Sequence, residues 1–328
     1  MTKFIIAPAL AFAISASLLW LMLRAPKSAL PLDRPNERSL HSAVTPRIGG
    51  IAIMVAVAAL LFWLRWQPLV VWLAVGLAFV SFLDDRSGLP TLVRLGAHTI
   101  AAGAFVGCCA GALPIALALL LTVGLIWMIN LYNFMDGSDG LAGGMAVCGF
   151  GSYAVLAWQS GDSMLAGASI VIAAAAAGFL VFNFHPAKVF MGDAGSIPLG
   201  FLAAAIGVLG WQNAHWPAWV PVVAFGPFAL DATITLLKRL VRGEKIWQAH
   251  RTHYYQRLVQ TGWGHRRTAL AEYALMAASG SVAIYGTGQS ALVQTMLLGV
   301  LALVYVTAGV MVDRAWANHQ RTIDANAQ

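Results

Sequence analysis

The chain has 328 residues, 59% of them hydrophobic and only 10% charged, with a mean hydropathy of +0.75. Soluble domains carry about a quarter of their residues as Asp, Glu, Lys and Arg, and no water-surrounded core of this length hides so much apolar surface, so a soluble globular protein is excluded and lipid is the solvent for most of the chain. The net charge of +7 and pI near 9.6 then point to basic cytoplasmic loops rather than to nucleic acid.

A helix needs about 20 apolar residues to cross a bilayer core. Eleven stretches qualify as centres of such helices: 4–23, 48–64, 68–83, 95–111, 113–130, 141–158, 164–182, 196–211, 218–237, 269–286 and 290–311. The expectation is one all-α unit over 1–328, a polytopic bundle of about 11 transmembrane helices with a periplasmic N-terminus and a cytoplasmic C-terminus. The first stretch is longer than a signal-peptide core and is followed by Arg24 and Lys27, which favours a retained helix over a cleaved leader. Cys108, Cys109 and Cys148 lie in apolar stretches with no metal or disulfide spacing and read as small buried hydrophobes. With eleven crossings, one side receives loops near 24–47, 84–94, 131–140, 183–195 and 238–268 and the C-terminal tail. That side collects every Lys and Arg except Lys3 and Arg65, eighteen of twenty, and is therefore cytoplasmic. The opposite loops carry Trp63, Trp66, Trp158, Trp211, Trp216 and Trp219, which suit an interfacial aromatic belt. No internal repeat is visible, which speaks against many transporter architectures.

The acids gather at cytoplasmic helix ends. Asp84 and Asp85 close the third stretch. Adjacent carboxylates raise each other's pKa unless a cation is near, and an acid at a helix C-terminus opposes the dipole. The pair reads as metal-adjacent or as a proton acceptor, with a solvated helix end as the plain alternative. In Asn130-Leu-Tyr-Asn133-Phe-Met-Asp136-Gly-Ser-Asp139-Gly140, Asn130, Asn133 and Asp136 recur every three residues and share a face if the helix continues. Their oxygens are hard ligands for Mg2+ or Mn2+. The spacing and the missing terminal Glu exclude an EF-hand. The segment Asn183-Phe-His185-Pro186-Ala-Lys188 runs on to Gly192-Asp193-Ala-Gly195-Ser196, a glycine turn entering a helix with free N–H groups for an anion. Asp193 there is a metal holder, an N-cap worth about 1 kcal/mol, or both.

The long loop 238–268 contains His250-Arg251-Thr252-His253-Tyr254-Tyr255-Gln256-Arg257 and His265-Arg266-Arg267. Arg suits phosphate and Tyr suits stacking, as a nucleotide diphosphate sugar requires; a lipid-headgroup loop is the plain alternative. Zinc at His250 and His253 is disfavoured because no cysteine joins them. Asp231, inside the ninth stretch, is either functional or paired with Lys238 or Arg239. His98 reads as a hydrogen-bonded core residue, and His215 and His319 as exposed. The first loop is densely charged through Arg34, Asn36, Glu37, Arg38, His41 and Arg47. It ends on Gly49-Gly50, which permit either close backbone packing or approach of a phosphate.

These segments, in this order and on one face, resemble the polyprenyl-phosphate N-acetylhexosamine-1-phosphate transferase family, the MraY/WecA superfamily of glycosyltransferase family 4, over residues 34–267. The carrying motifs are Asp84-Asp85, Asn133-Phe-Met-Asp136-Gly-Ser-Asp139-Gly-Leu, Asn183 through Gly192-Asp193-Ala-Gly-Ser, and the histidine loop. The resemblance implies an inner-membrane enzyme with a cytoplasmic active site. It would use Mg2+, with Mn2+ as the alternative, to move an N-acetylhexosamine 1-phosphate from a UDP-sugar to undecaprenyl phosphate, releasing UMP. It implies Asn133, Asp136 and Asp193 at the metal, Asn183 and Asp139 near the nucleotide, and His250 and His253 near the pyrophosphate or sugar. Asp84 would be the base, with Asp85 beside it, and Arg47, Lys188 and Arg257 would complete the substrate-binding set.

His253 is followed by Tyr254 and Tyr255 where many members have contiguous histidines. The pattern looks more like the WbpL-type transferases that initiate O-antigen chains, and Thr45-Pro46-Arg47 departs from the peptidoglycan branch. Membrane lipid is an expected partner, nucleic acid is not, and the oligomeric state, a homodimer included, stays open. A covalent aspartyl intermediate rivals direct attack. The other classes are a proton- or cation-coupled transporter, which would want its acids at the midplane, and a CDP-alcohol phosphotransferase, whose Asp-Gly-x-x-Ala-Arg pattern is absent.

Overall fold

The computed structural model describes residues 2–26, 30–35, 39–41, 43–248 and 250–327. Lys27, Asn36, Glu37 and Arg38, which belong to the basic first loop, lie outside the described residues. The order is α1 (Thr2–Met22), β1 (Leu32–Asp33), β2 (Thr45–Pro46), α2 (Gly49–Leu64), α3 (Pro68–Ser87), α4 (Thr91–Cys109), α5 (Ile115–Phe134), α6 (Leu141–Gln159), α7 (Ser163–Asn183) and α8 (Asp193–Gln212). It continues with α9 (Val220–Ala224), α10 (Gly226–Val241), α11 (Tyr254–Leu258), α12 (Gly264–Thr287) and α13 (Ala291–Ala327). Among the described residues, eight helices are long and apolar enough to cross a membrane, and α2 is a shorter apolar helix. The chain is an all-α polytopic membrane protein, and its outer faces expose large apolar side chains such as Leu92 at 80% and Ile5 at 77%, as a lipid solvent demands.

Each of the eleven apolar stretches becomes helix. The ninth is broken: α9 stops at Ala224 and α10 restarts with Pro227 in its first turn, where a residue without an N–H belongs. The last stretch overruns its apolar part to Ala327.

α8 is the centre of the bundle, and nearly all of it is buried. Its small residues let neighbours approach closely, the usual means of packing helices in lipid: a Cβ on Gly200 would meet the Ile129 backbone at 2.9 Å. α1 buries Ala7, Ala11, Ser15 and Leu19, one residue per turn, and seats Phe12 O where a Gly178 Cβ would come within 2.6 Å. It is therefore packed into the bundle against α7.

Several expectations for aromatic, histidine and cysteine residues are corrected. Trp66 and Trp216 are core residues at 4% and 2% exposure, not belt residues. The Trp216 ring fills the space over Gly210 and its Nε1–H donates to Gly207 O at 3.0 Å, which satisfies a buried indole. His215 is half-buried and pairs with Asp162 at 3.0 Å, while Asp162 also caps α7 through Leu165 N–H. His319 is half-buried beside Trp316. Cys108 is exposed, and Cys109 and Cys148 are half-buried; all three are free thiols.

Candidate active site

The site is assembled from loops at one end of the bundle. β1 and β2 pair antiparallel, and the chain after β2 runs beside the segment before α8. Phe190 N–H donates to Pro46 O at 2.8 Å, Gly49 N–H to Phe190 O at 2.9 Å and Gly50 N–H to Met191 O at 2.8 Å. This pairing is possible because the starts of α2 and α8 touch through glycine: a Cβ on Gly50 would fall 2.2 Å from Gly195 N. Close backbone packing is thus what Gly49-Gly50 provide, and it sets Arg47 and Asp193 on one wall.

Asn133, from the last turn of α5, donates its amide to Asp193 Oδ1 and to Ser196 Oγ, both at 2.9 Å. Both bonds use the amide nitrogen, so Asn133 Oδ1 remains available as an acceptor in a residue that lines the cavity. α5 ends at Phe134, so Asp136 sits in the following turn rather than on the helix face shared by Asn130 and Asn133. Asn130 instead donates to Ile126 O and faces His98. His98 is buried, as expected of a core histidine. Loss of solvent, with Asp193 and Asp85 nearby, pushes the Asp136 carboxyl well above the ordinary carboxylate range.

Asp139 is buried and forms a second centre. It holds His185 Nδ1 at 2.6 Å and accepts from Ala187 N–H at 3.2 Å. His265, at the start of α12, contacts Ser138 Oγ at 2.9 Å and Leu40 O at 3.1 Å. Asn183 spans the loops, accepting from Gly140 N–H at 2.9 Å and donating to Val189 O at 2.8 Å. Arg47, Asn133, Asp136, Asp139, Asn183 and Asp193 all line one polar cavity of about 130 Å3, with Asp33, His41 and His265 among the other lining groups.

Asp84 and Asp85 part company. Asp85 packs behind the cavity wall, against Gly192: its side chain is 4% exposed, yet its contacts are long, 3.5 Å to Ala194 N–H and 3.6 Å to Arg47. Asp84 is tied to the α3–α4 turn, accepting from Leu89 N–H at 2.6 Å and Arg94 at 3.1 Å.

The remaining candidates do not line the cavity. Lys188 is exposed. His250 contacts Thr252 Oγ1 at 3.0 Å and lies 4.7 Å from the His253 ring. His253 is buried, with Nδ1 3.3 Å from Asp231. Arg257 donates to Asp313 at 2.8 Å and to Thr252 O at 2.7 Å. Asp231 pairs with neither Lys238 nor Arg239. It accepts from Tyr254 N–H at 2.8 Å and Tyr255 N–H at 3.0 Å and so caps α11 across the loop; Lys238 goes to Asp313 and Arg239 to Glu244. Sequence reading missed Asp33 and Asp313. Asp33 sits in a loop without a motif, and Asp313 looks like a solvated helix end. The one cue for Asp33 was a charge density beyond what topology needs.

The donor set suits a hard divalent ion. Two carboxylates, Asp136 and Asp193, and the free amide oxygen of Asn133 share the cavity, beside the under-coordinated Asp85. Among the described residues no three His, Cys, Asp or Glu side chains converge as a complete metal cage. An ion there would draw its other ligands from phosphate and water, which is the habit of Mg2+ rather than of structural zinc.

The fold and the site define a polytopic membrane protein with a polar cavity, lined by carboxylates and Arg47, at one end of its bundle. Residues 67–210 match the model of glycosyl transferase family 4. The chain is 31% identical over 265 residues to a probable undecaprenyl-phosphate N-acetylglucosaminyl 1-phosphate transferase of Bacillus subtilis, covering 74% of this chain and 73% of that protein. It is 32% identical over 290 residues to the decaprenyl-phosphate N-acetylglucosaminephosphotransferase of Mycobacterium leprae, covering 73% and 72%. It is 30% identical over 266 residues to the phospho-N-acetylmuramoyl-pentapeptide-transferase of Geobacillus kaustophilus, covering 70% and 80%. The chain belongs to glycosyl transferase family 4, within the MraY/WecA superfamily.

Proposed function

We propose that the protein transfers an N-acetylhexosamine 1-phosphate from a UDP-sugar to undecaprenyl phosphate at the cytoplasmic face of a bacterial inner membrane. UMP is released and a lipid-diphosphate sugar is formed, the first membrane step of an O-antigen or related surface polysaccharide. The observation that carries this reading is the convergence of Arg47, Asn133, Asp136 and Asp193, drawn from three separate segments, on a single polar cavity, with Asp85 from the last turn of α3 packed beside Arg47 and Gly192 of its wall. The polyprenyl-phosphate acceptors and amino-sugar donors in the relatives' names support it.

In this mechanism the phosphate oxygen of the lipid bonds to the sugar-linked phosphorus of the donor, the bond to the bridging oxygen breaks, and UMP leaves. Such transfer is governed by positioning and charge stabilisation. Asn133, Asp136 and Asp193 would hold Mg2+, with Mn2+ as the alternative. The bound ion would neutralise the pyrophosphate oxygens. Arg47 presents a planar fork to the same oxygens. Asp139 and Asn183 border the nucleotide. The Asp84–Asp85 pair takes the proton of the lipid phosphate, and Asp85, beside Arg47 and Gly192 of the cavity wall with only long contacts, is the better placed of the two. His250, His253, Arg257 and Lys188 act on the donor side only if the histidine loop or its neighbours close over the bound nucleotide.

The test is a detergent or vesicle assay with a panel of UDP-N-acetylhexosamines and polyprenyl phosphate, scoring UMP and lipid-linked product. Asp193→Asn is expected to lower turnover by at least ~10³-fold while the protein stays inserted, as befits loss of a group acting on developing charge. Full activity in that variant removes the metal assignment. UMP exchange without acceptor favours a covalent intermediate, and solute uptake without UMP release overturns the enzyme reading.

A further inference from the structure

The last helix is built into the site's supports. α13 carries Asp313, whose Oδ1 accepts from Arg257 of α11 at 2.8 Å and whose Oδ2 accepts from Lys238 of α10 at 2.5 Å. The Tyr254 hydroxyl stands between them, 2.5 Å from Lys238 Nζ and 3.4 Å from Asp313. Arg257 is 4% exposed and lies over the rings of Tyr254 and Trp316, at 5.2 Å and 6.0 Å. A buried guanidinium with a single carboxylate partner depends on that partner.

α11 in turn touches the catalytic turn. Tyr255 donates its hydroxyl to Phe134 O at 3.1 Å and fills the space where a Gly137 Cβ would come within 2.2 Å of its oxygen. Gly137 lines the cavity between Asp136 and Asp139. A continuous path of packed and bonded groups thus runs from α13 through Arg257 and Tyr255 to the metal-side turn.

We propose that Asp313 is a positioning residue: by clamping Arg257 and Lys238 it holds α11 against the 133–139 turn and keeps the histidine loop in working register. The inference rests on the transferase reading for its kinetic consequence but not for its structural one. The full-length protein in detergent is examined as wild type, Asp313→Asn and Asp313→Glu, by amide hydrogen exchange and by kinetics with UDP-sugar and polyprenyl phosphate.

For Asp313→Asn we expect exchange over 250–263 to rise by about tenfold with α6 and α8 unchanged. We expect kcat to fall by about tenfold or more with a smaller change in KM, and partial recovery in Asp313→Glu. A merely structural role would lower thermal stability and leave the kinetics of the folded fraction untouched, and that result overturns the proposal. Unmoved exchange over 250–263 also overturns it. A wild-type protein without turnover removes the transferase reading instead, and the exchange result then stands alone. Where Asp313→Asn does not accumulate, Tyr254→Phe removes only the hydroxyl that Lys238 and Asp313 share. A rise of roughly two- to fivefold in loop exchange is then expected, and no rise sinks the clamp.

Discussion

Asp84 and Asp85 are neighbours in the chain, yet successive helical residues point about 100° apart, and the two carboxylates meet different partners. Asp84 is consumed by a turn: Leu89 N–H and Arg94 take its oxygens. Asp85 lies beneath Gly192 with Arg47 and Ala194 N–H at long range. A buried carboxylate with such loose contacts retains affinity for a proton or cation. Asp85→Asn is therefore expected to reduce kcat by about 10²-fold or more with little effect on thermal unfolding. Asp84→Asn should mainly lower the unfolding temperature, by the equivalent of about 1–3 kcal/mol for a lost charged hydrogen bond. Steady-state kinetics and thermal melts on both variants check this; the reverse ranking would hand the base role to Asp84, as the family resemblance implies. Arg47 sits between Asp33 at 2.9 Å and Asp85 at 3.6 Å. Arg47→Lys keeps the charge but loses the fork, so kcat/KM should drop by about tenfold, measured as initial rate against donor concentration.

Helices and loops were legible to different degrees, for a physical reason. A membrane helix is written in some twenty consecutive apolar residues, so all eleven stretches found helices. Pro227 could have signalled the break between α9 and α10. Contacts between loops are written nowhere in local pattern. Asp231 shows this: an acid inside an apolar stretch was legible as unusual, but its partners, the N–H groups of Tyr254 and Tyr255, lie more than twenty residues away across a loop. Likewise Arg257 and His253 read as donor ligands by type, and burial against Asp313 and Asp231 emerged only in three dimensions. The carboxylate and amide cluster was legible because its chemistry resides in short motifs. The Gly50–Gly195 contact joins two of those motifs. Gly50→Leu would force α2 and α8 apart, since even a Cβ has backbone at 2.2 Å. A loss of stability of about 3 kcal/mol or more is expected, with activity lost in whatever protein folds, because Arg47 and Asp193 sit on either side of that seam. Melting of the purified variant beside its turnover decides the point.

Sidedness links the bundle to its substrates. α13 has 37 residues, about 55 Å at 1.5 Å per residue, against a hydrocarbon core of about 30 Å. Its far end must therefore project beyond the bilayer, and Asp313, on that projecting part, touches Arg257 and Lys238 beside the catalytic loops. The C-terminus and the cavity consequently share one face, and we propose from the basic residues of loops on that face that it is the cytoplasmic one. We propose eleven crossings, which would put the N-terminus on the other side. A soluble, charged UDP-sugar cannot cross lipid, so on the proposed function and sidedness the cavity would draw its donor from the cytosol. Inverted vesicles should convert externally added UDP-sugar to lipid-linked product at full rate, while sealed right-side-out vesicles should do so only after permeabilisation. A reporter fused after Ala327 should be active only as a cytoplasmic marker, and one inserted between Gly161 and Asp162 only as a periplasmic one. Equal turnover in both sealed preparations, or matching reporter signals from the two fusions, would break the link between charge, topology and chemistry.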